Sequence, residues 1–410
     1  MLLPAPVPVV PAQVSARLRF VQPATETPFA CQVSPATPGE FEPVQLGSLR
    51  LWPPVVLAPM AGVTNFPFRS LCREFGAPLC VGEMVTARPL AQGVKRTLAM
   101  AAFGALESPK SIQLYGTDPY FVSEAVKFLV SDRSVSHIDL NFGCPVRKVT
   151  SQGGGAALPH KPRLLAKIIR AAVGSAGSVP VTTKFRMGID EEHIVFTQTG
   201  RVAQEEGCAA VTLHARTAAQ LYSGYANWDA IATLKGCLSI PVFGNGDVWE
   251  AADAIRMMRL THCDGVVVGR GCLGRPWLFR DLTDMFRGCR PQFAPSVGQV
   301  VDIMLEHAQR QVSWLGEAAA IRSFRRQASW YTKGFRASAA LRNSLTNVDT
   351  FQALASHLQC LDREAPFPES ALRVPRCKDS GTQRVTLPYG FWENPNDETP
   401  PVDHDCIDGG

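Results

Sequence analysis

From Val55 onward the chain repeats one pattern: a short apolar run, then a longer amphipathic stretch. The apolar runs are 55–60 (VVLAPM), 79–84 (LCVGEM), 111–116 (SIQLYG), 137–142 (HIDLNF), 180–186 (PVTTKFR), 209–215 (AAVTLHA), 241–245 (PVFGN) and 264–269 (DGVVVG). Helix-like stretches fall at 66–75, 119–131, 162–173, 191–206, 228–236, 249–259 and 276–287, and only the gap 85–110 resists reading. Eight strand–helix units within about 235 residues predict a (β/α)8 TIM barrel, an α/β fold whose usual size is ~250 residues. An open doubly wound sheet is the alternative for such alternation. It ordinarily carries G-x-G-x-x-G after an early strand, and none follows 55–60.

Residues 296–362 contain no such runs. They read as helices at 296–315, 317–332, 336–345 and 349–362. The ends differ again: 9 of the 32 prolines lie in residues 1–44 and 7 in 366–410. The expected organisation is a Pro-rich disordered extension over 1–44, a barrel over 45–290, a small all-helical domain over 291–365 and a disordered acidic tail over 366–410.

Composition removes several classes. At 46% hydrophobic and 19% charged, the 410-residue chain is too apolar for a disordered protein. No run nears the ~18 apolar residues of a membrane span. The opening MLLPAPVPVVPAQ has no basic stretch and is broken by prolines, which argues against a secretory signal. The 12 cysteines show no C-x-x-C and no zinc spacing. Reduced thiols, a cytoplasmic location and no metal site are therefore expected. A net charge of +5 permits nucleic-acid binding without arguing for it.

Function in such barrels gathers where strands end and the next loops begin. The seventh run ends Gly244-Asn245-Gly246-Asp247 and the eighth Val268-Gly269-Arg270-Gly271. Glycines there let backbone N–H groups approach a ligand. These two loops are the usual phosphate site of the fold, and Arg270 adds a fork of donors. Plain turn glycines are the bland reading of either loop alone. The fifth run places Thr182, Lys184 and Arg186 on one face, and the sixth Thr212, His214 and Arg216. Cations on buried strands point to an anionic or polar ligand across the mouth.

Flavin mononucleotide meets these demands. Its phosphate suits the last two loops, and Lys184 would stabilise the N1/O2 edge of the reduced ring. Gln113 offers a donor and an acceptor for the pyrimidine edge. Pro59, Met60 and Ala61 offer backbone groups and an apolar platform. The fourth run ends Asn141-Phe142-Gly143-Cys144-Pro145, with Gly153-Gly154-Gly155 beyond. Cys144 is open to two readings: a buried small apolar residue, or a thiol that stays protonated at neutral pH and acts as a general acid.

These residues resemble the tRNA-dihydrouridine synthases, most closely the bacterial B-type branch. The matching stretches include APMAGVTNFPFR (58–69), DLNFGCPVRKV (139–149), KFRMG (184–188), LHARTAAQLYSG (213–224), GRGCLGRPWLF (269–279) and IRSFRRQASWY (321–331), within about residues 45–362. The resemblance implies an oxidoreductase that holds FMN, takes electrons from NADPH and reduces the C5–C6 double bond of a uridine in tRNA. Hydride would pass from flavin N5 to C6, and a proton from Cys144 to C5. It implies FMN contacts at Pro59, Met60, Ala61, Gln113, Lys184, His214, Asn245, Gly246, Asp247, Gly269 and Arg270. Substrate contacts would fall on Asn141, Arg186, Arg325 and Arg326. The partners implied are tRNA and NADPH, with no membrane, and the chain is expected to be a monomer. A position where the B-type branch often has His holds Gln327.

The helical segment carries no acid between Glu317 and Asp349, but has Arg322, Arg325, Arg326, Lys333, Arg336 and Arg342 interleaved with Phe324, Trp330, Tyr331 and Phe335. It reads as an RNA-gripping face, or as a solvated helix face with Trp330 and Tyr331 packed inward. Two rivals share part of the pattern. A flavin barrel acting on a small molecule accounts for the phosphate loops and Lys184 but not for Cys144 or the basic segment. A non-catalytic RNA-binding barrel would hold no flavin. The acidic end reads either as a solvated tail or as a cover for the basic face.

Overall fold

The apolar runs become parallel strands buried on both faces, as in Val55–Leu57 and Gly265–Val268. This is the burial required when helices cover the outside of a sheet and side chains fill its inside. The computed structural model describes residues 33–336, 338–376 and 381–401. A short hairpin, β1 (Val44–Leu46) and β2 (Leu49–Leu51), precedes β3 (Val55–Leu57), β4 (Leu79–Cys80), β5 (Met84–Thr86), β6 (Ser111–Tyr115), β7 (His137–Phe142), β8 (Val181–Arg186), β9 (Ala210–His214), β10 (Val242–Asn245) and β11 (Gly265–Val268). The strand order is β4-β3-β11-β10-β9-β8-β7-β6-β5. Its two ends, β4 and β5, are pieces of one extended run. Between them the Val81 N–H bonds the Leu57 carbonyl and the Gly82 N–H bonds the Ser111 carbonyl. The sheet therefore closes into a TIM barrel. The hairpin sits under it: Leu46 and Leu51 pack with Val56, Leu79, Val81, Phe243 and Val267.

The connecting helices are α1 (Phe66–Glu74), α2 (Ala87–Ala91), α3 (Lys95–Met100), α4 (Pro119–Arg133), α5 (Arg147–Thr150), α6 (Pro162–Ala176), α7 (Phe196–Glu205), α8 (Trp228–Cys237), α9 (Ala251–Thr261) and α10 (Leu278–Phe286). α6 shows why they form. Leu164, Leu165, Ile168, Ile169, Ala172 and Ala176 recur at helical spacing and are its buried stripe. The gap 85–110 resolves into α2 and α3. The expected helix at 191–206 starts only at Phe196. Ahead of it the Asp190 carboxylate accepts the N–H groups of Glu192 and His193, which turns the chain.

Helices α11 (Val297–Leu315), α12 (Glu317–Tyr331), α13 (Ser338–Leu345) and α14 (Phe351–Leu358) form the second unit. Its core holds Val300, Met304, Ile321, Phe324, Tyr331, Phe335 and Leu354, together with Trp277 from the barrel's last loop. Arg310 of α11 pairs with Glu74 of α1 at 2.6 Å, and the rings of Phe66 and Trp314 lie 4.9 Å apart. The aromatics interleaved with the arginines are thus core residues: Phe324, Trp330, Tyr331 and Phe335 are all buried. The inward-packed reading holds for them. Gln327 is buried too, and its side-chain carbonyl accepts from Gln311 at 2.8 Å.

The expectation of free ends fails for the described residues. Glu40 pairs with Arg259 at 2.6 Å, and Ala36 is buried. Residues 1–32 lie outside the described residues. At the other end, Arg373 pairs with Glu250 at 2.7 Å, and the Leu372 carbonyl accepts from buried Arg275. Farther on, Phe391 is buried against Ala157 and Ile189, and Glu398 pairs with Lys167 of α6. The described part of the acidic segment therefore lies along the barrel, not over the basic helices. Residues 402–410 lie outside the described residues. Among the described residues no helix is long and apolar enough to cross a membrane.

Trp277 joins the two units. Truncation to Ala should cost about 3–5 kcal/mol, the usual range for a buried aromatic. Urea unfolding should show the midpoint falling accordingly.

Candidate active site

Nine of the expected residues line one cavity at the barrel's open end: Pro59, Met60, Lys184, His214, Asn245, Gly246, Asp247, Gly269 and Arg270. Parallel register explains their meeting, since Asn245 pairs with His214, and His214 with Arg186. Gly246 takes φ 134°, and a Cβ there would lie 2.6 Å from that of Ala226. Only glycine lets the two loops approach this closely. Ala61 is exposed at the rim and Gln113 stands outside the lining. The Asp247 carboxylate is already occupied: it accepts from Arg216 at 2.8 Å and from the Ala226 N–H at 2.6 Å. Asp247 can offer a ligand only its backbone.

The cavity is electropositive. Burial pushes Lys184 down to about 8, with Arg186 adding to the effect and Asp139 opposing it. Its ammonium has no hydrogen-bond partner among the described residues. Burial also holds His214 well below its ordinary value, reinforced by Arg186, Lys184, Arg216 and Arg270. His214 is therefore a neutral imidazole near neutral pH. The Arg270 guanidinium stacks on Tyr222, 4.1 Å from the ring centre, and meets Asp247 only at 3.9 Å. A half-buried ammonium without a partner among the described residues, beside an arginine with donors to spare, suits an anionic ligand. The residues present therefore fit the phosphate and electron-rich ring edge of FMN.

Cys144 is half-buried on the loop after β7. The Asn141 side-chain carbonyl accepts the N–H groups of Gly143 and Cys144 at 3.0 and 2.9 Å. The Asn141 amide donates to Gln113 at 2.7 Å, and Gln113 donates to Asp139 at 2.7 Å. Thr182 donates to the other Asp139 oxygen, and His137 contacts Thr182 at 2.9 Å. Gln113 and Asn141 therefore fix the cysteine loop. Arg186 does the same from below: it donates to the carbonyls of Gly143, Thr217 and Leu221. Gly155 comes so close that a Cβ would sit 2.5 Å from the Cys144 carbonyl oxygen. Burial pushes the thiol up, with a Val146 N–H and Arg186 pulling it partly back. The thiol is thus protonated at neutral pH.

Sequence reasoning missed Asp139, His137 and Tyr222. The first two were legible as alternate positions of one strand, ending at Asn141. Tyr222 gave no signal, since nothing local places a loop tyrosine under Arg270.

The two arginines expected to grip RNA are placed differently. Arg325 donates to the Val348 carbonyl at 2.8 Å and pairs with Asp349. Arg326 is exposed, donates to the Gly62 carbonyl at 3.2 Å and lies over Trp330. Gly62 in turn donates to Glu83 at 2.6 Å. Arg326 thus stands where the helical unit meets the barrel mouth.

A family model described as dihydrouridine synthase matches residues 56–366. The "Probable tRNA-dihydrouridine synthase" of Mycobacterium tuberculosis (strain CDC 1551 / Oshkosh) is 46% identical over 391 residues, covering 93% of this chain and 98% of that protein. That of Mycobacterium leprae (strain TN) is 46% identical, covering 87% and 100%. The "tRNA-dihydrouridine synthase B" of Xanthomonas axonopodis pv. citri (strain 306) is 37% identical, covering 75% and 92%. On the family model and these relatives, and with a barrel mouth that gathers Cys144, Asn141 and a cluster of buried and half-buried cations, this chain belongs to the dihydrouridine synthase family.

Proposed function

We propose that this chain reduces the C5–C6 double bond of a uridine in tRNA to dihydrouridine, with FMN as bound cofactor and NADPH as electron donor. The observation that carries the reading is Cys144, a protonated thiol braced at the mouth of a cationic barrel cavity. Bound FMN would accept electrons from NADPH and supply hydride to the uracil C6.

The chain's own residues do the rest. Lys184, Arg270 and the glycine loops after β10 and β11 would hold the cofactor's phosphate and polar edge. Neutral His214 would offer a hydrogen bond without adding to the crowded positive charge. Cys144 would donate a proton to C5 of the reduced uracil, and its raised pKa keeps that proton available. Asn141 fixes the thiol's loop and would offer its remaining amide hydrogen to an incoming uracil edge. A uridine inside folded tRNA must leave its stack to reach this depth. Arg322 and Arg326, exposed at i and i+4 on α12, would grip phosphates beside the mouth.

Cys144→Ala should leave NADPH-driven bleaching of the protein intact but lower uridine reduction by ~10²–10⁴-fold, the usual worth of a general acid. Normal reduction by this variant would remove the acid role. Mass-spectrometric mapping of dihydrouridine in tRNA from cells lacking the protein should show loss at a defined position.

Lys184 gives a pH signature. Its charged form is held with difficulty, down to about 8 in the free protein. An anionic ligand favours that form, so affinity is full below this value and declines above it. FMN affinity of the apoprotein should fall by up to about tenfold per pH unit above 8. Lys184→Met should bind weakly with that dependence removed, as flavin fluorescence titration would show.

Arg326→Glu should weaken tRNA binding and lower the salt slope by roughly 1. Arg325→Glu should act mainly on stability, because Arg325 is tied to Asp349. Anisotropy titrations across salt concentrations separate the two.

A further inference from the structure

The loop that carries Cys144 is tied down through every main-chain polar group from Gly143 to Pro145. Its two N–H groups go to Asn141. The Gly143 carbonyl accepts from Arg186, and the Cys144 carbonyl accepts from the Ala156 N–H at 3.0 Å. The last group, the Pro145 carbonyl, is met from outside the barrel. It accepts from the side-chain amide of Gln383 at 2.8 Å. Gln383 lies beyond residue 366, where the match to the family model ends.

Gln383 does more than fill that position. The same amide nitrogen donates to the Ala218 carbonyl at 3.1 Å, and the Gln383 backbone N–H donates to the Ala219 carbonyl at 2.8 Å. Arg186 bridges the same two loops from beneath, through Gly143 on one side and Thr217 and Leu221 on the other. One staple belongs to the barrel and the other to the C-terminal extension.

The extension has its own anchors, so Gln383 is held in place. Phe391 is buried, and Lys161 donates to the carbonyls of Phe391 and Asn394 at 2.7 and 2.6 Å. The Trp392 ring stacks on His193 with centres 4.3 Å apart, and meets His160 edge-on at 5.1 Å. The described extension is thus anchored to the barrel, although Glu393 to Asn396 remain exposed.

We infer that the C-terminal extension completes the active site, with Gln383 as a positioning residue that holds the Cys144 loop against the loop after β9. It acts on Cys144 through the backbone and touches no reacting atom. The inference builds on the reading of Cys144 as proton donor but is tested apart from it.

The test is the rate of Cys144 alkylation by iodoacetamide against pH, followed by peptide mass spectrometry on the full-length protein. Gln383→Met keeps the side chain's length and the backbone bond but removes the donor. A loosened loop exposes the thiol to water, which lowers its pKa and speeds its reaction. The variant should therefore alkylate Cys144 about tenfold faster near neutral pH, the scale of losing two hydrogen bonds. Its pH curve should move to lower pH, while the exposed Cys289 and Cys360 react as before. For uridine reduction, kcat should fall with little change in KM for tRNA. A chain ending at Arg376 should behave the same way. If both variants give the wild-type Cys144 curve, the staple has no role. If Cys144→Ala still reduces uridine but Gln383→Met shifts the curve, the staple stands and the proton-donor reading falls.

Discussion

Lys184, Arg186, Arg216 and Arg270 converge on His214 at the open end of the barrel. Asp139 acts on Lys184 and Asp247 faces Arg216 and Arg270, but Asp139 is held by Gln113 and Thr182 and Asp247 by Arg216. Like charges brought together out of water are costly unless something of opposite sign joins them. The rest of the site can be read as a response to that cost. Arg186 is satisfied by three carbonyls, Arg270 by the face of Tyr222, and His214 by staying neutral. Of these cations Lys184 alone has no hydrogen-bond, ion-pair or ring partner among the described residues, and it lies among the residues that would hold a cofactor.

A second constraint acts on the cysteine. The general acid proposed at Cys144 must be both protonated and well aimed. Burial supplies the first condition, and a chain of side chains supplies the second. That chain runs from His137 through Thr182, Asp139, Gln113 and Asn141 to the Cys144 N–H. Buried polar networks of this type rigidify only when each member is satisfied. Here the network lies inside the barrel, where strand register fixes its members. Its last link is on a loop, which is why that loop needs Arg186 below and Gln383 above.

Much of this was legible in the sequence. Short valine-rich runs alternating with helical stripes leave few folds other than a closed parallel barrel, and strand ends then nominate the site. Nine of eleven expected cofactor residues share one cavity because period-two alternation and parallel register are local rules. What escaped depends on pairings distant in sequence. Arg325 meets Asp349 in the loop between α13 and α14, so its charge is spent within the domain. The aromatics near it are core, a distinction that composition cannot make. The C-terminal extension was misread because its proline-rich, acidic composition resembles a solvated tail. Its order comes from single anchors, Phe391, Trp392 and Gln383, spread along a strap without periodicity.

The balance of charge at the barrel mouth is tested most directly by the molecule that the native protein retains. Protein purified without added flavin should be yellow and, on denaturation, release FMN close to one per chain, identified by its mass and absorbance. Release of no flavin, together with failure of the apoprotein to take up FMN at neutral pH, would contradict the assignment of these cations to a cofactor.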